Sequence, residues 1–209
     1  MRNQLKIMGL VSLMLLAPGI GSAEGFVAGE DYGELAAPQP TAAGDKVEVI
    51  EFFSYGCHHC SNLEPHIVKW AASPAATDVE IVRVAVAWSQ GMASLSRVYY
   101  AAEMAGAPEE AHAAVFKLLH EDKPTELTLP VMADVLASHG VDKDQFMLNF
   151  QSAEVTERVQ AAKEMTARYK ISGVPTLVIG GRYTVGIPHG NDFKRMFEVT
   201  DYVVAQSAD

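Results

Sequence analysis

The chain contains two cysteines, Cys57 and Cys60, separated only by His58 and His59. Thiol–disulfide exchange needs a thiolate that attacks and a second thiol close enough to release the mixed disulfide. Two intervening residues meet that need if the first cysteine sits at a helix N-terminus and the second faces it one turn on. Unpaired backbone N–H groups and the positive end of the helix dipole then favour a thiolate on Cys57. Cys57 is the expected exposed nucleophile and Cys60 the buried resolving thiol. As a structural staple the pair would be poor, because closing so short a loop removes little entropy from the unfolded chain. Metal binding is also disfavoured, since four adjacent residues cannot all turn onto one tetrahedral ion, and His66, His112, His120, His139 and His189 show no ligand spacing. The remaining alternative is a small inert bridge in a binding protein.

The elements around the pair have the order such a site requires. Val47–Phe53 is β-branched and aromatic and predicts a buried strand. Cys57–Ala72 follows as a helix with Leu63, Ile67 and Trp70 on one face, interrupted or kinked by Pro65. Val79–Trp88 predicts a second strand. Residues 91–161 lose strand character. Helices are expected there over Met92–Ala105, from Pro108 to about Leu119, over Pro130–Ser138 and over Lys143–Phe150, with a long one over Glu154–Tyr169. Strand chemistry returns at Thr176–Ile179, turns at Gly180-Gly181 and resumes at Tyr183–Val185. A last helix spans about Asp192–Ala205, with Asn191 as its expected cap. The fold class is therefore α/β, split by an all-helical insertion. The expected division is 24–88, 89–161 and 162–209, with 24–45 an extended lead-in. Trp88, Tyr99, Tyr100 and the nine methionines are assigned to the core.

Arg2 and Lys6 precede an apolar run from Ile7 to Ala17, and the small residues Gly21, Ser22 and Ala23 follow. This layout predicts a signal peptide over 1–23, cleaved after Ala23; the run is too short to span a bilayer. Exported proteins usually spend cysteines on structural bridges, so a lone reactive pair stands out. The formal charge of −10 argues against a nucleic-acid partner.

Three segments together resemble the DsbA family of thiol–disulfide interchange proteins, in the thioredoxin superfamily: Phe26–Tyr32, Val49–Cys60 and Gly173-Val174-Pro175-Thr176. The resemblance implies a thioredoxin fold with a helical insertion and a periplasmic oxidase that takes electrons from folding exported proteins. It also implies reoxidation by a DsbB-like, quinone-linked membrane partner, and no cofactor beyond the cysteine pair. A monomer is expected. The family places a cis-proline beside the cysteines, which assigns Val174 and Pro175 to a client-binding edge. Without the family, Pro175 would be an ordinary trans proline before a strand.

Glu51 is a charge inside an apolar strand. It is either an exposed position on an edge strand or, by the family reading, a buried carboxylate that shuttles the proton of Cys60; Glu64 matches a second acidic position. His59 is expected to support the Cys57 thiolate. His58 stands where the family usually has proline, restoring an N–H and adding a titratable group. A periplasmic reductase or a client-specific oxidase would use the same fold.

Overall fold

The structure, a computed structural model, describes residues 25–188 and 190–207. The expected signal segment and His189 lie outside these. Val47–Phe53 forms β2, and all seven of its residues are buried. Burial on both faces follows from its place in a five-stranded sheet of order β1-β5-β4-β2-β3. The other strands are β1 (Gly33–Glu34), β3 (Val79–Ala85), β4 (Thr176–Ile179) and β5 (Tyr183–Gly186). β2 runs parallel to β3, with Val47 opposite Val79 and Glu51 opposite Arg83. It runs antiparallel to β4, with Glu51 opposite Leu177. Glu51 is thus on an interior strand, which overturns its reading as an edge position.

Alternation along the strands feeds two cores. On one face, Val47, Val49, Leu177 and Ile179 pack against Leu63, Ile67 and Trp70 of α1 (His58–Ala71) and against Met196, Val199 and Val203 of α7 (Phe193–Ser207). Each fully buried aliphatic side chain contributes roughly 1.5–3 kcal/mol. On the other face, Ile50, Phe52 and Val178 meet the helical segment: α2 (Gln90–Met104), α3 (Glu109–Lys117), α4 (Leu129–Ser138), α5 (Lys143–Gln151) and α6 (Ala153–Arg168). The split α/β architecture is therefore present as expected. α6 runs without a break across residues 161 and 162.

Local chemistry explains the helix limits. Ser89, Asp142 and Ser152 accept the N–H groups of Met92, Gln145 and Val155 at 3.2, 2.8 and 3.1 Å and so cap α2, α5 and α6. Gly106 and Gly140, at φ +74° and +88°, follow α2 and α4 in the left-handed conformation that ends a helix with little strain. α1 runs through Pro65, which withholds one N–H from its ladder.

Four sequence expectations need correction. β3 ends at Ala85 rather than Trp88, and Trp88, in the following loop, is 47% exposed rather than core. The lead-in supplies an edge strand, β1, paired with β5. Asn191 sits at φ +59° and is not the cap of α7; Asp192 accepts the Arg195 N–H at 3.0 Å instead. α3 ends at Lys117, and the chain widens into a π turn over Leu118–Asp122, closed by Lys123 in the left-handed region.

Candidate active site

The turn from β2 into α1 presents the cysteines. Ser54 accepts the Cys57 N–H at its carbonyl (3.0 Å) and the Gly56 N–H at Oγ (3.2 Å). Cys57 then takes the N-cap position of α1 with extended backbone and no side-chain cap, and its carbonyl accepts the Ser61 N–H at 3.1 Å. Both cysteines are free thiols; Cys57 is partly exposed and Cys60 is fully buried.

Their acidities diverge for physical reasons. A hydrogen bond from the Cys60 thiol, backbone N–H groups of Cys60 and His59, and the nearby His59 charge together bring the Cys57 thiol down to about 6, against the opposing effect of burial. Burial pushes the Cys60 thiol far up, and the bond it gives to Cys57 pushes it further; Glu51 acts in the same direction. The site therefore holds one ready thiolate and one thiol that keeps its proton.

His58 and His59 are both exposed. His59 lines a groove of about 460 Å³ with Ser172, Val174, Pro175, Pro188 and Asn191. The Val174–Pro175 bond is cis, and the Val174 carbonyl oxygen lies 3.4 Å from Cys57 Sγ. The sequence elements 114 or more positions away are thus brought to the sulfur pair.

Behind Cys60 lies a buried charge cluster. Glu51 is 0% exposed, and its Oε2 accepts the Arg83 Nε–H at 3.0 Å while Oε1 has no hydrogen-bond partner among the described residues. Burial raises the Glu51 carboxyl to about 7, with Arg83 opposing the rise and Glu64 adding to it. Arg83 also reaches Glu64 at 3.5 Å and Glu109. Glu64, buried on α1, faces His112 of α3 at 3.4 Å.

Sequence reading missed Arg83, Glu109, Tyr55, His112 and His120. Arg83 was findable only through the register that sets it opposite Glu51. His112 and His120, scattered in sequence, both converge on Tyr55. His112 Nδ1 meets its hydroxyl at 2.7 Å, and His120 Nε2 meets its carbonyl at 2.7 Å. His120 also brings its ring to 5.6 Å from that of His58. Tyr99 and Tyr100 flank this region, Tyr100 buried and Tyr99 partly so. Among the described residues no group of three or more His, Cys, Asp or Glu side chains could hold a metal ion, and no helix is long and apolar enough to cross a membrane.

Comparison with known proteins agrees with this geometry. Residues 63–200 match the family model for the DSBA-like thioredoxin domain. The chain is 36% identical over 207 residues to the thiol:disulfide interchange protein DsbA of Burkholderia cepacia, spanning 96% of this chain and 97% of that one. The crystal structure of Pseudomonas aeruginosa DsbA superposes with a TM-score of 0.78 at 32% identity, covering 87% of this chain and 94% of that one. DsbA from Xylella fastidiosa gives 0.76 at 34% identity, covering 86% and 96%. A thioredoxin fold interrupted by helices, a thiolate-forming cysteine at a helix start and these full-length relatives lead to one conclusion: the chain belongs to the DsbA-like thioredoxin-domain family.

Proposed function

We propose that this protein is a thiol–disulfide oxidoreductase that donates the Cys57–Cys60 disulfide to exported proteins as they fold. The observation that carries the reading is the divergence of the two thiols, Cys57 lowered to about 6 and Cys60 raised, at the start of α1. Anything that stabilises the Cys57 thiolate stabilises the reduced form and makes the disulfide a stronger oxidant, by about 1.4 kcal/mol for each 30 mV.

The reaction runs in two exchanges. A client thiolate attacks Cys57 Sγ, the Cys57–Cys60 bond breaks, and Cys60 leaves with the electron pair and takes a proton. A second client thiolate attacks the client sulfur of the mixed disulfide and expels Cys57 as a thiolate. The client loses two electrons and gains a disulfide; the enzyme ends as the Cys57 thiolate and the Cys60 thiol. Glu51, within electrostatic reach of Cys60, is the proposed proton group for the departing sulfur. Val174 and Pro175 form the edge along which an extended client lies, beside the groove that His59 lines.

In this reading the setting is the periplasm, with residues 1–23 as the export signal, supported by Arg2 and Lys6 before the apolar run Ile7 to Ala17, and a DsbB-like quinone-linked membrane oxidase is the source of oxidising equivalents. The protein acts as a monomer in this reading. Its functional division is a first thioredoxin part over 24–88, a helical insertion over 89–161 and a second thioredoxin part over 162–209.

The test is the redox equilibrium of the pair against glutathione. A pair that oxidises reduced glutathione supports the donor reading. A strongly reducing pair would make the protein a reductase, and a bridge that exchanges with no thiol would leave only a structural role.

A further inference from the structure

Three carboxylates, Glu51, Glu64 and Glu109, share the guanidinium of Arg83. One positive charge cannot balance three negative ones, so the division of Arg83 among them decides how readily each acid keeps its proton. Glu51 matters most for the chemistry because it stands behind Cys60. Its own contact with Arg83 is the 3.0 Å bond from Nε, while Nη2 spans the 3.5 Å to Glu64. A second cationic or donor group on Glu64 would leave Arg83 to Glu51.

Such a group is present and comes from the insertion. His112 is buried on α3, with Nδ1 2.7 Å from the Tyr55 hydroxyl and Nε2 3.4 Å from Glu64 Oε2. The Glu64 carboxylate facing Nε2 can only accept, so the tautomer that satisfies both contacts carries its proton on Nε2, and the Tyr55 hydroxyl donates to Nδ1. A ring that accepts at Nδ1 carries its own proton on Nε2 and aims it at Glu64. Among the described residues neither Nε2 nor Glu64 Oε2 has another hydrogen-bond partner, and the two face each other at 3.4 Å. The groups facing this pair are Arg83 on β3, Glu51 on β2, Tyr99 and Glu103 on α2, and Glu109 on α3. A cavity of about 110 Å³ adjoins the cluster and is lined by Tyr55, Arg83, Tyr99, Glu103, Glu109 and His112. It is polar and roomy enough for water and reaches Glu109, Arg83 and His112 directly.

We infer that His112 is a positioning residue for the exchange reaction: held by the Tyr55 hydroxyl, it directs Nε2–H onto Glu64 and thereby reserves Arg83 for Glu51, the carboxylate behind Cys60. The inference rests on the proposed role of Glu51. It gives the helical insertion a part in the chemistry through a residue that touches neither cysteine. Without the imidazole, Glu64 turns to Arg83, Glu51 loses part of its cationic partner, and its proton affinity rises. Neutralising Glu64 does the reverse, because it removes a like charge and a competitor for Arg83.

The test titrates the reduced protein labelled with ¹³Cδ-glutamate, using E51Q to identify the Glu51 resonance, beside the pH profile of disulfide donation to a dithiol peptide. In H112L the Glu51 midpoint and the kinetic inflection should both move up by roughly half a pH unit or more. H112Q, which keeps an N–H donor near the Nε2 position, should hold both close to the parent. E64Q should move both down, and H112L/E64Q should follow E64Q alone. A Glu51 midpoint that stays put or falls in H112L, or that moves equally in H112Q, would overturn the inference. If H112L fails to fold, Y55F decides it: loss of the hydroxyl that holds Nδ1 frees the imidazole from Glu64 and should raise the Glu51 midpoint, and a midpoint that does not rise overturns the inference. A profile unchanged in E51Q would instead remove the Glu51 reading on which the inference stands, whatever the His112 variants do.

Discussion

The Val174 carbonyl oxygen lies 3.4 Å from Cys57 Sγ across 117 positions of sequence. A Cys57 thiol donates to this oxygen, whereas a thiolate has no proton to give and meets its lone pairs. The reactive sulfur thus shares its edge with the backbone that an extended client would use. Val174→Thr changes the side chain on that edge without emptying a core position, since Val174 is only partly buried. Disulfide transfer to a client peptide should change several-fold while unfolding stability stays within about 1 kcal/mol. Stopped-flow exchange and urea denaturation check this; a large loss of stability with unchanged exchange would contradict it.

The two cysteines should fail differently. Cys57→Ser should abolish exchange, because the only lowered thiol is gone. Cys60→Ser should leave an attacking sulfur with no resolving partner, so mixed disulfides with clients accumulate. Non-reducing gel electrophoresis coupled to mass spectrometry separates the two outcomes, and adducts through Cys60 in the Cys57→Ser protein would reverse the assignment.

The neighbouring histidines should also differ. The His59 charge is among the largest causes that lower Cys57. His59→Ala keeps the backbone N–H but removes the imidazole, so the Cys57 midpoint should rise by roughly half a pH unit or more. A higher Cys57 midpoint destabilises the reduced state, so the disulfide becomes less oxidising, by about 1.4 kcal/mol for each pH unit. His58→Pro should move it less, because a lost donor is set against a preset helical turn. Thiolate absorbance against pH, measured for both variants, checks the order.

Much of this site was legible in the sequence because its parts are local. A strand, a turn and Cys57–Cys60 at a helix start lie within one short run, and Val174-Pro175 precedes a clear strand. What could not be read depends on pairing across the fold. The partner of Glu51 is set by the β2–β3 register, which places Arg83 opposite it. His112 and His120 reach Tyr55 only because α3 and its π turn pack over the end of β2. Trp88 was misplaced because the apolar run Val79–Trp88 continues past the last paired residue, Ala85, and periodicity alone does not show where pairing stops. Asn191 was misread because Asn and Asp both cap helices, and the left-handed backbone at Asn191 hands the role to Asp192.

Glu51 should leave its mark on stability. Its carboxyl is raised by burial from 4.5 to about 7 in the folded protein. A group whose folded value is raised favours the fold fully below its unfolded value, and that contribution is lost as pH rises through the folded value. The reduced parent should therefore lose stability between about pH 4.5 and 7 relative to Glu51→Gln, by about 2–3 kcal/mol over that range. Urea denaturation of both proteins across this range measures the difference; a constant gap would show that Glu51 does not titrate there.

The most direct test of the central claim is alkylation of the reduced protein by iodoacetamide as a function of pH, with the labelled cysteine located by peptide mapping. Cys57 should react with a midpoint near pH 6, and Cys60, buried and raised, should stay unlabelled in the folded state. A Cys57 midpoint in the ordinary thiol range of about 8.5, or labelling of Cys60 first, would contradict a thiolate held at the start of α1.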